Sequence, residues 1–187
     1  MKNIGLSILL LIAVFSFSSC EKEEPKPNYF YSFKVNGVQK EFKANNDAGI
    51  TFLEDGPNRF TLFNMVTGDN LSKNAMIMSF RNQEQIQLGL TYIMQNPIMV
   101  NGTLAPSIAL VYFDENGKEY GATLLQSSNP GAADDCSFKI TDFTTEGSTG
   151  EFEGVLFDLA DPRPLDQRIP LLITEGKFFL PNFVSNL

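Results

Sequence analysis

From residue 28 onward, apolar side chains recur at every second position, turn-forming pairs interrupt them at short intervals, and helical periodicity is absent. A chain patterned this way buries its apolar faces only by pairing strands into a sheet that closes on itself or packs against a second sheet. Tyr29, Tyr31, Phe33 and Val35 share one face of a first strand, Asn36-Gly37 is a two-residue hairpin signal, and Val38 and Phe42 lie on the return strand. A third strand is predicted over Ile50 to Glu54, followed by a turn at Asp55-Gly56-Pro57-Asn58. Phe60 and Leu62 then change phase to Phe63 and Met65, which predicts a bulge or a strand covered on both faces. Met76, Met78 and Phe80 line one half-buried strand, and Ile86, Leu88, Leu90 and Tyr92 line another. Pro97, Asn101-Gly102 and Pro106 reduce Met94 to Ser107 to a loop or short edge strand. Ile108 to Phe113, the Asp114-Glu115-Asn116-Gly117 turn, and Tyr120, Ala122 and Leu124 form a second hairpin. A loop over Gln126 to Asp135, with Asn129-Pro130-Gly131, leads into Cys136, Phe138 and Ile140, and Glu146 to Gly150 turns the chain back through Phe152, Gly154 and Leu156. After the polar segment Asp158 to Arg168, a last pair of strands is expected over Ile169 to Ile173 and Lys177 to Leu180.

About ten short strands with hairpin connections make an antiparallel meander. The expected fold is therefore all-β, a meander forming a two-layer β-sandwich, with a lipocalin-like flattened barrel as the alternative. Such barrels usually carry a Gly-x-Trp near the start of the first strand, and this chain of 187 residues has no Trp. Its 17 Phe and 5 Tyr supply enough apolar area for one core. It has no His either, which removes Ser-His-Asp triads, Cys-His dyads, His-held metals and any unshifted general base near neutral pH. The chain is expected not to be an enzyme, and to carry no cofactor and no metal.

The N-terminus reads as an address. Lys2 precedes an apolar run from Ile4 to Phe17, too short to span a bilayer, and Ser18, Ser19 and Cys20 follow. Phe17-Ser18-Ser19-Cys20 resembles a bacterial lipobox, with Phe17 and Ser19 standing where Leu and Gly or Ala are usual. The resemblance implies cleavage before Cys20, diacylglycerol on its thiol and acylation of its amine, and more than one chain is what holds a protein firmly in a membrane. Cys20-Glu21-Lys22-Glu23-Glu24 is similar to the export signal of Bacteroidetes-type surface lipoproteins, which assigns Lys22, Glu23 and Glu24 to that signal. The expected organisation is a cleaved signal peptide over 1–19, a lipidated flexible tether over 20–27 and a single β-rich domain over 28–187. The expected location is the outer membrane, lipid-anchored and facing outward, with a periplasm-facing anchor as the alternative. Without Lys2 the chain carries 13 basic against 22 acidic residues, a formal −9, so nucleic acid is not expected as a partner and membrane attachment falls to the lipid. With Cys20 acylated, Cys136 is the only remaining cysteine and no internal disulfide forms.

The last fifty residues carry a second resemblance. Phe138-Lys139-Ile140-Thr141-Asp142-Phe143, Gly150-Glu151-Phe152-Glu153-Gly154-Val155-Leu156 and Ile173-Thr174-Glu175-Gly176-Lys177-Phe178 resemble the C-terminal signature of an uncharacterised family of Bacteroidetes lipoproteins, roughly ITxFD, GTFxGxLxD and ITxGxF. It implies a β-rich domain on a lipid anchor and brings no activity, substrate or catalytic residue.

Individual residues offer little chemistry. Cys136 alternates in phase with Phe138 and Ile140, so it faces inward as a small hydrophobe, and Asp134 and Asp135 beside it oppose thiolate formation. Asp114, Glu115, Glu119, Asp134, Asp135, Asp158, Asp161 and Asp166 fall in expected loops, where solvation or turn-forming accounts for them better than calcium or a glycosidase pair. Tyr29, Tyr31, Tyr92, Tyr112 and Tyr120 are in phase with their strands' apolar sets and read as core rather than as a sugar-stacking face. Met76 and Met78 read as core, while Met94 and Met99 stay open. Asn70-Leu71-Ser72 and Asn101-Gly102-Thr103 match the N-glycosylation sequon, which carries no weight in a bacterial lipoprotein. The function expected is a non-enzymatic binding module for a glycan or an envelope protein, acting through loops such as Met94 to Ser107 and Leu159 to Arg168. The alternatives are a structural or accessory subunit of an outer-membrane complex and a carrier of a small apolar ligand inside a Phe-lined barrel.

Overall fold

The structure is a computed structural model that describes residues 27–55, 58–125 and 134–185. Cys20, Lys22, Glu23 and Glu24, the tip of the turn at 56–57 and the loop residues 126–133 lie outside the described residues. The chain is all-β, with strands β1 (Phe30–Val35), β2 (Val38–Lys43), β3 (Gly49–Asp55), β4 (Asn58–Val66), β5 (Ala75–Asn82), β6 (Tyr92–Ile93), β7 (Pro97–Val100) and β8 (Thr103–Pro106) in its first part. Strands β9 (Ile108–Phe113), β10 (Glu119–Ala122), β11 (Asp135–Phe143), β12 (Ser148–Asp158), β13 (Leu171–Leu180) and β14 (Asn182–Ser185) complete it, with a short 3-10 turn at Leu165–Gln167. Twelve strands form one sheet in the order β14-β3-β4-β5-β9-β10-β12-β13-β1-β2, with β11 and then β6 added on β12, and β7 and β8 make a separate hairpin.

The sheet is mostly antiparallel, but it is neither a flat two-layer sandwich nor a simple meander: it curls through 309° into a half-barrel. Strand β12 is the pivot. One of its edges pairs first with β11, over Ser148 to Val155, and then with β10, at Phe157 and Asp158, so a single edge serves two strands and the sheet turns a corner there. Its other edge pairs with β13. Register shifts at Ile140/Asp142, Phe152/Gly154 and Ser32/Lys34 mark bulges around the pivot, and Glu175 on β13 takes a left-handed φ of 54° inside one of them. Bulges bend and coil strands, which is the physical reason the sheet wraps instead of splitting into two layers. The ends of the sheet, β14 and β2, do not pair with each other, so it is not a closed barrel of the lipocalin kind either.

The core lies inside the curl. Tyr31, Phe33, Phe63, Met76, Met78, Phe138, Phe152 and Phe178 are buried within it. Their rings meet edge-on or tilted across it: Phe63 lies 5.1 Å from Phe138 and 5.5 Å from Phe178, and Phe33 lies 5.5 Å from Tyr112. Such contacts are favoured by the ring quadrupole and fill the axis of the half-barrel with side chains.

Three hairpins follow their turn chemistry. Asn36 and Gly37 (φ 48° and 85°) and Asn101 and Gly102 (φ 49° and 79°) have the paired positive φ of a type I′ turn, whose twist matches that of the flanking strands. At the third, the Asp114 carboxylate accepts the backbone N–H groups of Asn116 (2.8 Å) and Lys118 (2.9 Å).

Elsewhere the expectations need correction. In β4 the inward set is Thr61, Phe63 and Met65, the register is continuous without a bulge, and Phe60 and Leu62 lie half-buried on the other face. Residues 83–91 are not a strand: Gly89 takes a φ of 76°, and Leu88 and Leu90 are exposed. The expected last pair is one continuous strand, β13, and Ile169 lies outside it, exposed. Strand β14, unforeseen, turns at Pro181 and pairs in parallel with β3.

Candidate functional site

Strands β3, β4 and β5 run side by side to one end of the half-barrel. There the tip of β3 (Phe52, Leu53, Glu54), the start of β4 (Arg59, Phe60, Thr61) and Phe80 near the end of β5 meet the irregular segment 83–91 and the end of β11. They enclose an open cleft of about 500 Å³, completed by Glu84, Gln85, Ile86, Leu88, Ile140 and Phe143. Local sequence explains each wall. Gly89 lets the chain reverse, and its N–H donates to the Ile140 carbonyl at 2.8 Å, which fastens segment 83–91 over β11. The Tyr92 hydroxyl accepts the Gln87 N–H at 2.8 Å, and the Tyr92 ring packs 4.6 Å from Phe80 and 5.3 Å from Phe138. Phe143 stands edge-on to Phe52 at 5.7 Å, although it is 51% exposed. Charge is confined to the cleft's rim: Arg59 pairs with Glu54 at 3.5 Å, both side chains well exposed, and Glu84 is exposed. Arg81 covers the Phe60 ring at 5.3 Å. The cleft is therefore an apolar slot with a polar mouth, within the size range of small-molecule sites.

Two other grooves are of different character. One, of about 420 Å³, crosses the outer face of β11, β12 and β13 between Lys139, Glu151, Glu153, Glu175 and Lys177. Its charges pair on the sheet surface: Lys139 reaches Glu151 at 2.7 Å, holding that carboxyl below its usual range, and Lys34 pairs with Glu175. The other, of about 340 Å³, lies where the chain enters the domain, between Pro27, Tyr29, Lys43, Ala48, Pro181 and Phe183.

The residues singled out from sequence are scattered. Cys136 is buried on β11 and its thiol is pushed up, by desolvation first and then by Asp135 and Asp134, so it is a poor nucleophile. Asp134 is buried and accepts the N–H groups of Thr123 (3.0 Å) and Leu124 (2.9 Å), tying the end of β10 to the start of β11. Asp158 pairs with Lys118 at 2.8 Å, and Glu115 pairs with Lys40. Asp161 is gripped by Arg163 at 2.6 Å, which draws its carboxyl down to about 2, and Arg168 donates to the carbonyls of Arg163 and Asp158. The arginines of segment 159–168 are thus spent on ordering their own loop. Among the described residues, no three acidic or thiol side chains gather as a metal site.

Tyr31 and Tyr112 are buried, with hydroxyls pushed above the usual range by desolvation, Tyr112 to about 12, and Tyr92 and Tyr120 pack on the core. Tyr29 lies half-buried against Phe179 at the rim. Met94 is buried, whereas Met99 and its cross-strand partner Leu104 are both 54% exposed on the β7–β8 hairpin. Neither segment 94–107 nor segment 159–168 contributes a lining residue to the cleft.

Sequence reading did not find the cleft, because the residues that form it come from four separated segments. One signal was present: Phe60 and Phe143 fall out of phase with the inward set of their strands. No protein-family model, curated protein or solved structure matches the chain.

Proposed function

We propose that this protein is a lipid-anchored envelope protein whose β domain is a non-enzymatic binding module, taking an apolar group of its ligand into the cleft at the tips of β3, β4 and β5. The anchor reading rests on Lys2, the apolar run to Phe17 and Cys20, with the resemblance of Cys20-Glu21-Lys22-Glu23-Glu24 to a surface-export signal. The observation that carries the binding reading is the cleft itself, an apolar slot of about 500 Å³ whose charges stand only at its mouth. Orientation supports it. The tether enters beside Ala48 at the start of β3, and the cleft is lined by Leu53 and Glu54 at the end of that strand, about 20 Å away at 3.3 Å per residue. The cleft thus sits at the far end of the domain from the tether. An apolar ligand held at this open end fits the packed, ring-filled axis better than a ligand carried inside the barrel. A glycan held by tyrosine stacking has less support, because Tyr31, Tyr112, Tyr92 and Tyr120 serve the core.

The test is probe binding combined with fractionation. The chain is expected to sediment with membranes unless it carries Cys20→Ala, and to bind 8-anilinonaphthalene-1-sulfonate saturably at one site. Leu88→Glu and Phe143→Glu, both at exposed positions, are expected to abolish that site without unfolding the domain. Binding that survives both substitutions overturns the cleft reading, and a Cys20→Ala protein still held by membranes overturns the anchor.

A further inference from the structure

The chemistry of the ligand can be read from the floor of the cleft; this step rests on the cleft being the binding site. Thr61 lies on the inner face of β4, in register with Phe52 on β3 and Phe80 on β5, and lines the cleft. As a residue it is only 4% exposed and its hydroxyl makes no hydrogen bond to the described residues, yet the oxygen itself is not sealed in the core, so it opens into the cleft. The other buried polar side chains are engaged: Ser107 donates to the Ile93 carbonyl at 3.1 Å, Ser148 donates to Asn182 at 2.8 Å, and Asp134 accepts two backbone N–H groups. A hydroxyl that opens into a cleft is satisfied by water there and can exchange that water for a ligand atom. Set between Phe52 and Phe80 in an apolar slot, the Thr61 hydroxyl is the kind of placed polar group that fixes a ligand's orientation.

The walls narrow the class further. Phe52, Phe60, Phe80 and Phe143 present ring edges and faces, an environment that favours another flat ring in tilted or offset contact. No charged side chain reaches the floor, and an ionised group buried there would be uncompensated. We propose that the cleft takes a planar aromatic molecule whose buried edge is uncharged and carries one hydroxyl or carbonyl oxygen, hydrogen-bonded to Thr61. Any charged part of that molecule stays at the mouth, beside Arg59 and Glu54.

A matched pair of probes tests this: 2-naphthol and 2-methylnaphthalene, which share shape and differ in the oxygen. Each is measured by equilibrium dialysis against the full chain in nanodiscs, with empty nanodiscs subtracting probe dissolved in lipid. The wild type is expected to prefer 2-naphthol by about three- to tenfold, the range for one net hydrogen bond. Thr61→Val is expected to abolish that preference, to leave 2-methylnaphthalene affinity unchanged, and to melt no lower than the wild type. A Thr61→Val protein that melts lower assigns the hydroxyl to structure and overturns the proposal. Equal affinity for both probes, lost in Leu88→Glu, overturns the oxygen contact while the cleft remains a binding site. No binding of either probe overturns the aromatic ligand class; the cleft reading itself then stands or falls with the anilinonaphthalene test.

Discussion

Single residues explain the C-terminal sequence pattern in physical terms. Gly150 pairs with Phe178 and Gly176 pairs with Phe152 across β12 and β13, so each ring lies over the opposite strand's glycine, and the two rings stack at 6.4 Å. A Cβ at Gly150 would stand 2.3 Å from the Lys139 carbonyl and 2.4 Å from the Phe178 ring; one at Gly176 would stand 2.3 Å from the Phe152 carbonyl. The repeated Gly and Phe of the signature are therefore one interlocked packing unit, with no chemistry required of them. Gly150→Ala and Gly176→Ala are each expected to cost at least about 1–3 kcal/mol, because backbone as well as ring must move. Gly68→Ala is the control: nothing lies within 4 Å of its Cβ position, and the change is expected to be neutral within about 0.5 kcal/mol. Urea unfolding of the three variants beside the wild type decides it, and equal midpoints would discard the interlock.

Among the elements, β14 has the largest consequence for its length. Its four residues cover the edge of β3, the Ile50 N–H donates to the Pro181 carbonyl at 2.8 Å, and the Phe183 ring closes over Gly49, approaching its Cβ position to 2.1 Å. Without it β3 would present an open row of N–H and C=O groups, the feature that leads sheets to aggregate edge to edge. Removal of residues 182–187 is expected to lower the melting temperature by several degrees and to turn reversible unfolding into aggregation, read by scanning calorimetry with light scattering. A truncated chain that melts reversibly at the wild-type temperature would make β14 dispensable. The opposite edge, β2, is protected by composition: Lys40, Glu41 and Lys43 stand along it, and charges deter a second strand.

For the whole molecule, titration follows from what the sequence omits. With no His, no imidazole titrates between pH 5 and 8. Asp161, Asp158 and Glu151 are depressed by Arg163, Lys118 and Lys139 respectively, so their contribution is present above the ordinary carboxylate range and is lost as pH falls, for Asp161 through about 2. Asp135, raised by burial, acts in the opposite direction. Tyr31 and Tyr112 are raised by burial, so their contribution is full below pH 10 and is lost as pH climbs, for Tyr112 through about 12. Cys136, raised by burial, adds a loss that begins as pH climbs into the ordinary thiol range, so unfolding free energy is expected to be level from about pH 5 to 8 and to fall on both sides, in a series of urea melts; a step near pH 6.5 would contradict it. At this scale the division between sequence and structure is also plain. Period-two patterning and Asn-Gly turns are local properties, so the all-β class, the hairpins at Asn36-Gly37 and Asp114 to Gly117, and the inward faces of β1, β5 and β11 followed from neighbouring residues alone. The curl, the shared edge of β12, the parallel docking of β14 and the cleft depend on which distant edges meet. Segment 83–91 shows the limit: its alternation suited a strand, but it meets β11 through the single Gly89 to Ile140 hydrogen bond instead of pairing with it, and its apolar residues became the wall of a site. Periodicity specifies which face of a strand is buried, whereas the partner of each edge is chosen by the packing of the whole chain.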